Sequence, residues 1–164
     1  MGPKLDREST RRFFAPAIQR VLHLHWRFAR GLTIGVRGLI VDGQGRVFLI
    51  KHSYVPGWHL PGGGVEPNET LADALARELR EEGNIELTGP ASLFAIYFNR
   101  RVSRRDHVVL YVVRSFRQSA APQPNHEIIA HGFFHPDSLP EGTSRATHAR
   151  IAEVLDGRSV AQFW

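Results

Sequence analysis

Apolar positions recur with two different periods along the chain, and their order predicts an α/β domain preceded by a helical extension. Phe14, Ile18, Val21, Leu22, His25, Phe28 and Leu32 return every three or four residues while Arg20, His23, Arg27 and Arg30 fall elsewhere, so an amphipathic helix is expected over about residues 10–29. From Leu32 the pattern turns strand-like. An apolar run to Val41, the turn Asp42-Gly43-Gln44-Gly45 and the run Val47-Phe48-Leu49-Ile50 together predict a β-hairpin.

Trp58-His59-Leu60 then lead into Pro61-Gly62-Gly63-Gly64, a glycine run that breaks regular structure and lets backbone approach another group closely. A helix over Leu71–Glu82 follows, bounded by the capping pair Thr70 and Asp73 and by Gly83-Asn84, residues that tolerate left-handed backbone. Residues 91–98, 107–113 and 128–134 read as further strands, and Ser144–Leu155 as a last helix. Neither a repeat nor a second-domain boundary is evident. Residues 1–30 are an extension and residues 31–164 one domain.

Composition narrows the chemistry. The absence of cysteine excludes a disulfide framework, thiolate-bound zinc and a cysteine nucleophile, and suits a reducing, cytoplasmic setting. No apolar run is long enough to cross a bilayer, and the first residues lack a secretory signal. The net charge of +5 lies wholly in residues 1–30, which hold seven of the 21 Lys and Arg and two of the 16 Asp and Glu, leaving 14 of each beyond. A broad nucleic-acid-binding face on the domain is therefore not expected. For the extension, docking on the domain or on a second copy in a homodimer is preferred over contact with RNA or a membrane surface.

The helix at 71–82 carries the candidate chemistry. At roughly 100° per residue, Glu81 and Glu82 fall about 60° and 40° to either side of Glu78, on the side of Leu71 and Leu75 and away from Asp73 and Arg80. Carboxylates about 6 Å apart repel by roughly 3 kcal/mol per pair at an effective dielectric of about 20, so three beside an apolar stripe call for a cation or a raised pKa. Oxygen donors favour magnesium or manganese, hard cations that complete their shells with water and substrate phosphates.

Gly63, Glu69 and the run Arg77-Glu78-Leu79-Arg80-Glu81-Glu82-Gly83-Asn84-Ile85 resemble the Nudix box, G-x5-E-x7-R-E-U-x-E-E-x-G-U with U apolar, at eight of nine specified positions. The departure is Asn84, where the family has glycine. The resemblance implies an α/β/α sandwich with a mixed β-sheet, and an enzyme that hydrolyses a nucleoside diphosphate linked to another moiety. By the same resemblance, Glu78, Glu81 and Glu82 would hold Mg2+ or Mn2+ with help from the carbonyl of Gly62 or Gly63. Arg77 and Glu69 would orient the cluster, and Glu78, Glu81 or the downstream Glu127 would act as base. Glu127 also reads simply as a polar residue at a strand end.

For the substrate, a small nucleotide-like diphosphate, Arg100 and Arg101, with Arg104 and Arg105, are candidates to hold phosphate, though this basic loop reads equally as solvated surface, and Tyr54, Trp58 and Tyr97 are candidates to stack on a base. For Trp58 a packing role is preferred. The nine histidines show no zinc-like spacing and read as polar filler. Subfamily markers for ADP-ribose and diadenosine polyphosphate hydrolases are absent, so nucleotide sugars, modified nucleoside triphosphates and other diphosphates stay open. The alternative function is a catalytically silent Nudix-fold domain that binds a nucleotide and regulates a partner.

Overall fold

The computed structural model describes residues 31–122 and 126–164, so the expected helix over residues 10–29 lies outside the described residues. The strands are β1 (Thr33–Ile40), β2 (Val47–His52), β3 (Trp58–His59), β4 (Ile85–Leu87), β5 (Ser92–Phe98), β6 (Asp106–Val113), β7 (Phe116–Gln118) and β8 (Ile128–Phe134). Two helices, α1 (Leu71–Gly83) and α2 (Arg145–Leu155), complete the described fold with a short 3-10 turn at Pro136–Ser138. No helix among the described residues is long and apolar enough to cross a membrane.

β6 is central in a mixed sheet, parallel to β1 and antiparallel to β5. A second sheet places β2 between β3 and β8, all antiparallel, and β4 pairs with β7. Alternate residues of each strand enter different cores. Val36 and Ile40 of β1, Phe48 and Ile50 of β2, and Val109 and Tyr111 of β6 pack with Ala74, Leu75 and Leu79 of α1. Leu39, Leu49 and Leu110 from the same strands pack with Ile151 of α2. The helices therefore cover opposite faces, which is why β1 and β6 read as nearly unbroken apolar runs. Each fully buried aliphatic side chain in these layers is worth about 1.5–3 kcal/mol over leaving it in water.

The expected hairpin between β1 and β2 is corrected. Its turn exists, with the Asp42 carboxylate accepting the N–H groups of Gln44 and Arg46 at 2.9 Å each, but the flanking strands meet only at the bridge Val41↔Val47. The reason is competition for the edges of β1. β6 takes one, and the loop at residues 61–65 takes the other: Val36 N–H donates to Gly63 O at 2.8 Å, Gly38 N–H to Pro61 O at 2.9 Å and Val65 N–H to Ile34 O at 2.9 Å.

Candidate active site

The glycine-rich loop is thus sewn to a central strand and aimed at α1. Gly62 has φ +136°, and a Cβ there would stand 2.1 Å from the Val36 carbonyl oxygen, so no other residue fits. Its N–H donates to Glu82 Oε2 at 2.6 Å. A Cβ on Gly63 would come within 2.3 Å of Glu78 Oε1. The two glycines remove the bulk that would hold both carboxylates away from the backbone.

α1 is fixed at both ends. Thr70 accepts the Asp73 N–H at 3.1 Å, and Asn84 closes the helix at φ 50°, its own N–H returning to Arg80 O at 3.0 Å. Between these caps Arg77 forms a fork onto Glu69, Nε to Oε1 at 2.9 Å and Nη2 to Oε2 at 3.1 Å, while Nη2 also reaches Gly64 O at 3.0 Å and Nη1 reaches Glu78 Oε1 at 2.7 Å. That geometry ties helix, loop and cluster into one unit. The Arg77 guanidinium and the Glu66 N–H hold the Glu69 carboxyl below the usual carboxylate range.

The three box carboxylates are graded in exposure. Glu82 is 6 % exposed, the Glu78 side chain 12 % and the Glu81 side chain 59 %, so Glu81 stands at the solvent edge, 3.5 Å from Arg77. Burial pushes the Glu82 carboxyl up to about 8 against the Gly62 N–H and the Arg37 charge, with Glu78 and Glu127 adding repulsion.

Across the cleft stand the end of β2 and the start of β8. A bulge between Lys51 and His52 shifts the pairing from Ala130 to Ile128, and Ser53 N–H then donates to Glu127 O at 2.8 Å. Tyr54 O–H donates to Glu127 Oε1 at 2.6 Å, which raises the phenol to about 12. His52 is buried beside Glu82, and burial, with the positive Arg37 and His59, holds its imidazole below the ordinary histidine value. The resulting cleft of about 320 Å3 is lined by Arg37, His52, Tyr54, His59, Gly62, Gly63, Glu78, Glu82 and Glu127, and an adjoining cavity of about 520 Å3 shares Glu78, Glu82 and Glu127 and adds Glu81 and Ile128. Converging carboxylates that carry more negative charge than the cleft neutralises suit a hard divalent cation, so the residues present fit one.

The NUDIX domain family model matches residues 31–155. The chain belongs to the NUDIX family. It is 29% identical over 130 residues to a MutT-like protein of Streptomyces ambofaciens, covering 76% of this chain and 78% of the relative. The RNA pyrophosphohydrolase of Halorhodospira halophila is 40% identical over 71 residues, and this match spans 43% of the chain but only 38% of that enzyme. Among solved structures, a MutT NUDIX hydrolase from Burkholderia pseudomallei superposes with a TM-score of 0.63 at 29% identity, over 74% of this chain and 97% of that one. The enzyme class is that of a Nudix pyrophosphohydrolase, a hydrolase of diphosphate bonds.

Within the Nudix site the structure brings Glu78, Glu81, Glu82, Gly62, Gly63, Glu127 and Tyr54 together around one cleft. Tyr97 is elsewhere. It is wholly buried on the α2 side, its hydroxyl donates to Glu153 at 2.7 Å and Arg150 lies over its ring at 4.1 Å, so the expected stacking on a base is corrected to a core role. Trp58 packs edge-on against Phe134 at 5.0 Å and its carbonyl caps the start of α2 through Ser144 N–H at 3.1 Å, the packing role preferred from sequence. Arg100 and Arg101 sit in the exposed β5–β6 connection, outside the cleft lining, and Arg100 lies over Phe163 at 4.6 Å. Arg37 and Val55 line the cleft without having been singled out in the sequence, and His52 and His59, read there as polar filler, line it as well. For His52 the signal was present in the alternation Phe48, Ile50, His52, which points all three toward the α1 face.

Proposed function

We propose that this Nudix domain hydrolyses a diphosphate linkage in a small nucleoside diphosphate derivative, with Mg2+ or Mn2+ held by Glu78, Glu81 and Glu82. One observation carries the reading. Glu82 is a buried acid with no lysine or arginine within ion-pair distance among the described residues, and it faces two further carboxylates beside a backbone loop of glycines. A buried charge left in that state costs several kcal/mol unless something else supplies the positive charge.

When bound, the cation would neutralise the diphosphate and acidify a water. The protein's part is placement. Gly62 N–H fixes one oxygen of Glu82 and leaves the other facing the cleft, and the Glu69–Arg77 fork keeps Glu78 against the loop. Arg37, held by Leu60 O at 3.1 Å, offers its guanidinium to a phosphate oxygen. Water attacks phosphorus in line, Glu78, Glu81 or Glu127 takes its proton, and the second phosphate leaves with the remaining moiety. The RNA, sugar or modified-base character of that moiety is set by the open side of the cleft, where Tyr54 is 65 % exposed and available to stack.

The test is a screen of pooled nucleotide sugars, modified nucleoside triphosphates and 5′-triphosphate RNA with magnesium, run on the wild type and on Glu82→Gln. Magnesium-dependent phosphate release that disappears in the variant supports the enzyme. Nucleotide binding without turnover in the wild type would instead make the domain a silent regulator.

A further inference from the structure

We propose that His52, Glu82 and Glu127 form a mixed nitrogen and oxygen cation position on the β2–β8 side of the cleft, one that takes a transition-metal dication such as manganese or cobalt. The inference rests on the reading of Glu82 as a ligand and adds to it a nitrogen donor that the box does not contain. His52 closes β2 and is 7 % exposed. Among the described residues its Nδ1 has no hydrogen-bond partner, and its Nε2 stands 3.6 Å from Glu82 Oε1, too far for a hydrogen bond. Burying an imidazole with neither nitrogen hydrogen-bonded is unfavourable, so a purely structural histidine here is a poor use of the position.

The surroundings are built rather than loose. Donor atoms of His52, Glu82 and Glu127 all lie within 4.8 Å of one another. Around an ion with bonds of about 2.1 Å, octahedral ligand atoms sit roughly 3 Å apart when adjacent and about 4.2 Å when opposite, so a small rotation of the exposed Glu127 closes the set. Three contacts position that residue for it: the β2–β8 bulge, Ser53 N–H on the Glu127 carbonyl at 2.8 Å and the Tyr54 hydroxyl on its carboxylate at 2.6 Å. The Tyr54 ring also covers His52 at 5.1 Å between centroids, fixing the imidazole plane. An imidazole donor shifts preference away from magnesium toward first-row transition ions, cobalt more than manganese, and Mn2+ serves as the paramagnetic probe of the position. Glu127 then serves as ligand, which leaves Glu78 and Glu81 to accept the proton.

Full-length protein loaded with Mn2+ is examined by electron spin echo envelope modulation, which detects nitrogen bonded to the ion. Histidine modulation in the wild type is expected, changing to the 15N pattern when the protein carries 15N-histidine, retained in His59→Gln and lost in His52→Gln. Affinity for Mn2+ at that position should fall at least about tenfold in His52→Gln, no less than the loss of an outer-shell partner costs, with magnesium affinity less affected. Bound Mn2+ without a histidine nitrogen in the wild type, or a signal that follows His59, overturns the inference and leaves the carboxylate reading standing. No bound Mn2+ at all overturns both. If His52→Gln does not fold, the labelled wild type and His59→Gln decide the matter.

Discussion

Glu82 on α1 and Glu153 on α2 are each 6 % exposed, each under the sheet from opposite faces, and they are satisfied in opposite ways. Glu153 accepts from Arg150 Nη2 at 2.6 Å, from the Tyr97 hydroxyl at 2.7 Å and from Ala161 N–H at 3.0 Å. Arg150 in turn lies over Tyr97 at 4.1 Å and Trp164 at 5.5 Å and donates to Phe163 O at 3.0 Å, so the pair pins the C-terminal residues to β5. Glu82 has the Gly62 N–H, carboxylates, an imidazole and the charge of Arg37, with no lysine or arginine in ion-pair contact among the described residues. Burial of an acid is thus no mark of function by itself; burial without a cation in ion-pair contact is what sets Glu82 apart.

The largest effect that this contrast predicts is on stability, at the α2 site. Glu153→Ala leaves Arg150 charged and buried, and chemical denaturation should show a loss of about 3–5 kcal/mol. Hydrolysis by the folded fraction should stay within about twofold of wild type, because the cleft is on the other face. A loss below about 1 kcal/mol would mean that the α2 pair is not the structural counterpart described here.

Glu82→Gln should behave inversely. Diphosphate hydrolysis falls at least about a hundredfold, equivalent to about 2.7 kcal/mol of transition-state stabilisation, while the metal-free melting temperature at neutral pH is unchanged or higher, because the buried carboxyl no longer has to be held protonated above its ordinary range. Parallel loss of activity and stability would erase the distinction between the two glutamates.

The third effect is a pH slope confined to one of them. Folded Glu82 keeps its proton up to about 8, whereas in the unfolded chain it releases it near 4.5. Its contribution is therefore fully present below about pH 4.5 and is lost as pH rises through about 8. With a chelator present, unfolding free energy measured across that window should fall more steeply for wild type than for Glu82→Gln. Saturating Mn2+ should remove the difference, since a bound cation stabilises the ionised form.

The two sites also differ in how far the sequence disclosed them. The α1 site is written locally: the spacing of Glu78, Glu81 and Glu82, the caps at Thr70 and Asn84 and the run Pro61–Gly64 all fall within 24 residues, and helical period alone puts the glutamates on the apolar side. The Tyr97–Glu153 hydrogen bond joins residues 56 apart, and nothing in the strand pattern around Tyr97 separates a ring turned to the core from one turned to a ligand. Sheet order was hidden for the same reason. The Asp42–Gly45 turn suggests a local hairpin, but β1 spends its edges on β6 and on residues 61–65, contacts that no local rule anticipates. His52 and Glu127 fall between these cases, since alternation orients the first but only the bulge brings the second beside it.

The smallest predicted effect asks whether the one departure from the Nudix box reaches Glu82, two residues away. Asn84 holds the left-handed helix exit at φ 50° and donates through Nδ2 to Ala120 O at 2.9 Å, a tether to the segment after β7 that glycine could not make. Asn84→Gly relieves a small backbone strain, loses a partly exposed hydrogen bond worth about 0.5–1.5 kcal/mol and adds freedom to the unfolded chain worth roughly 0.4–1 kcal/mol. The expected net is a loss of about 1 kcal/mol in denaturation, with hydrolysis unchanged, because the Gly62 N–H and the packing of Leu79 locate Glu82 independently of the exit. A tenfold change in rate with little change in stability would show instead that the helix exit sets the position of the buried carboxylate, and that the α1 site is tuned from its C-terminal end.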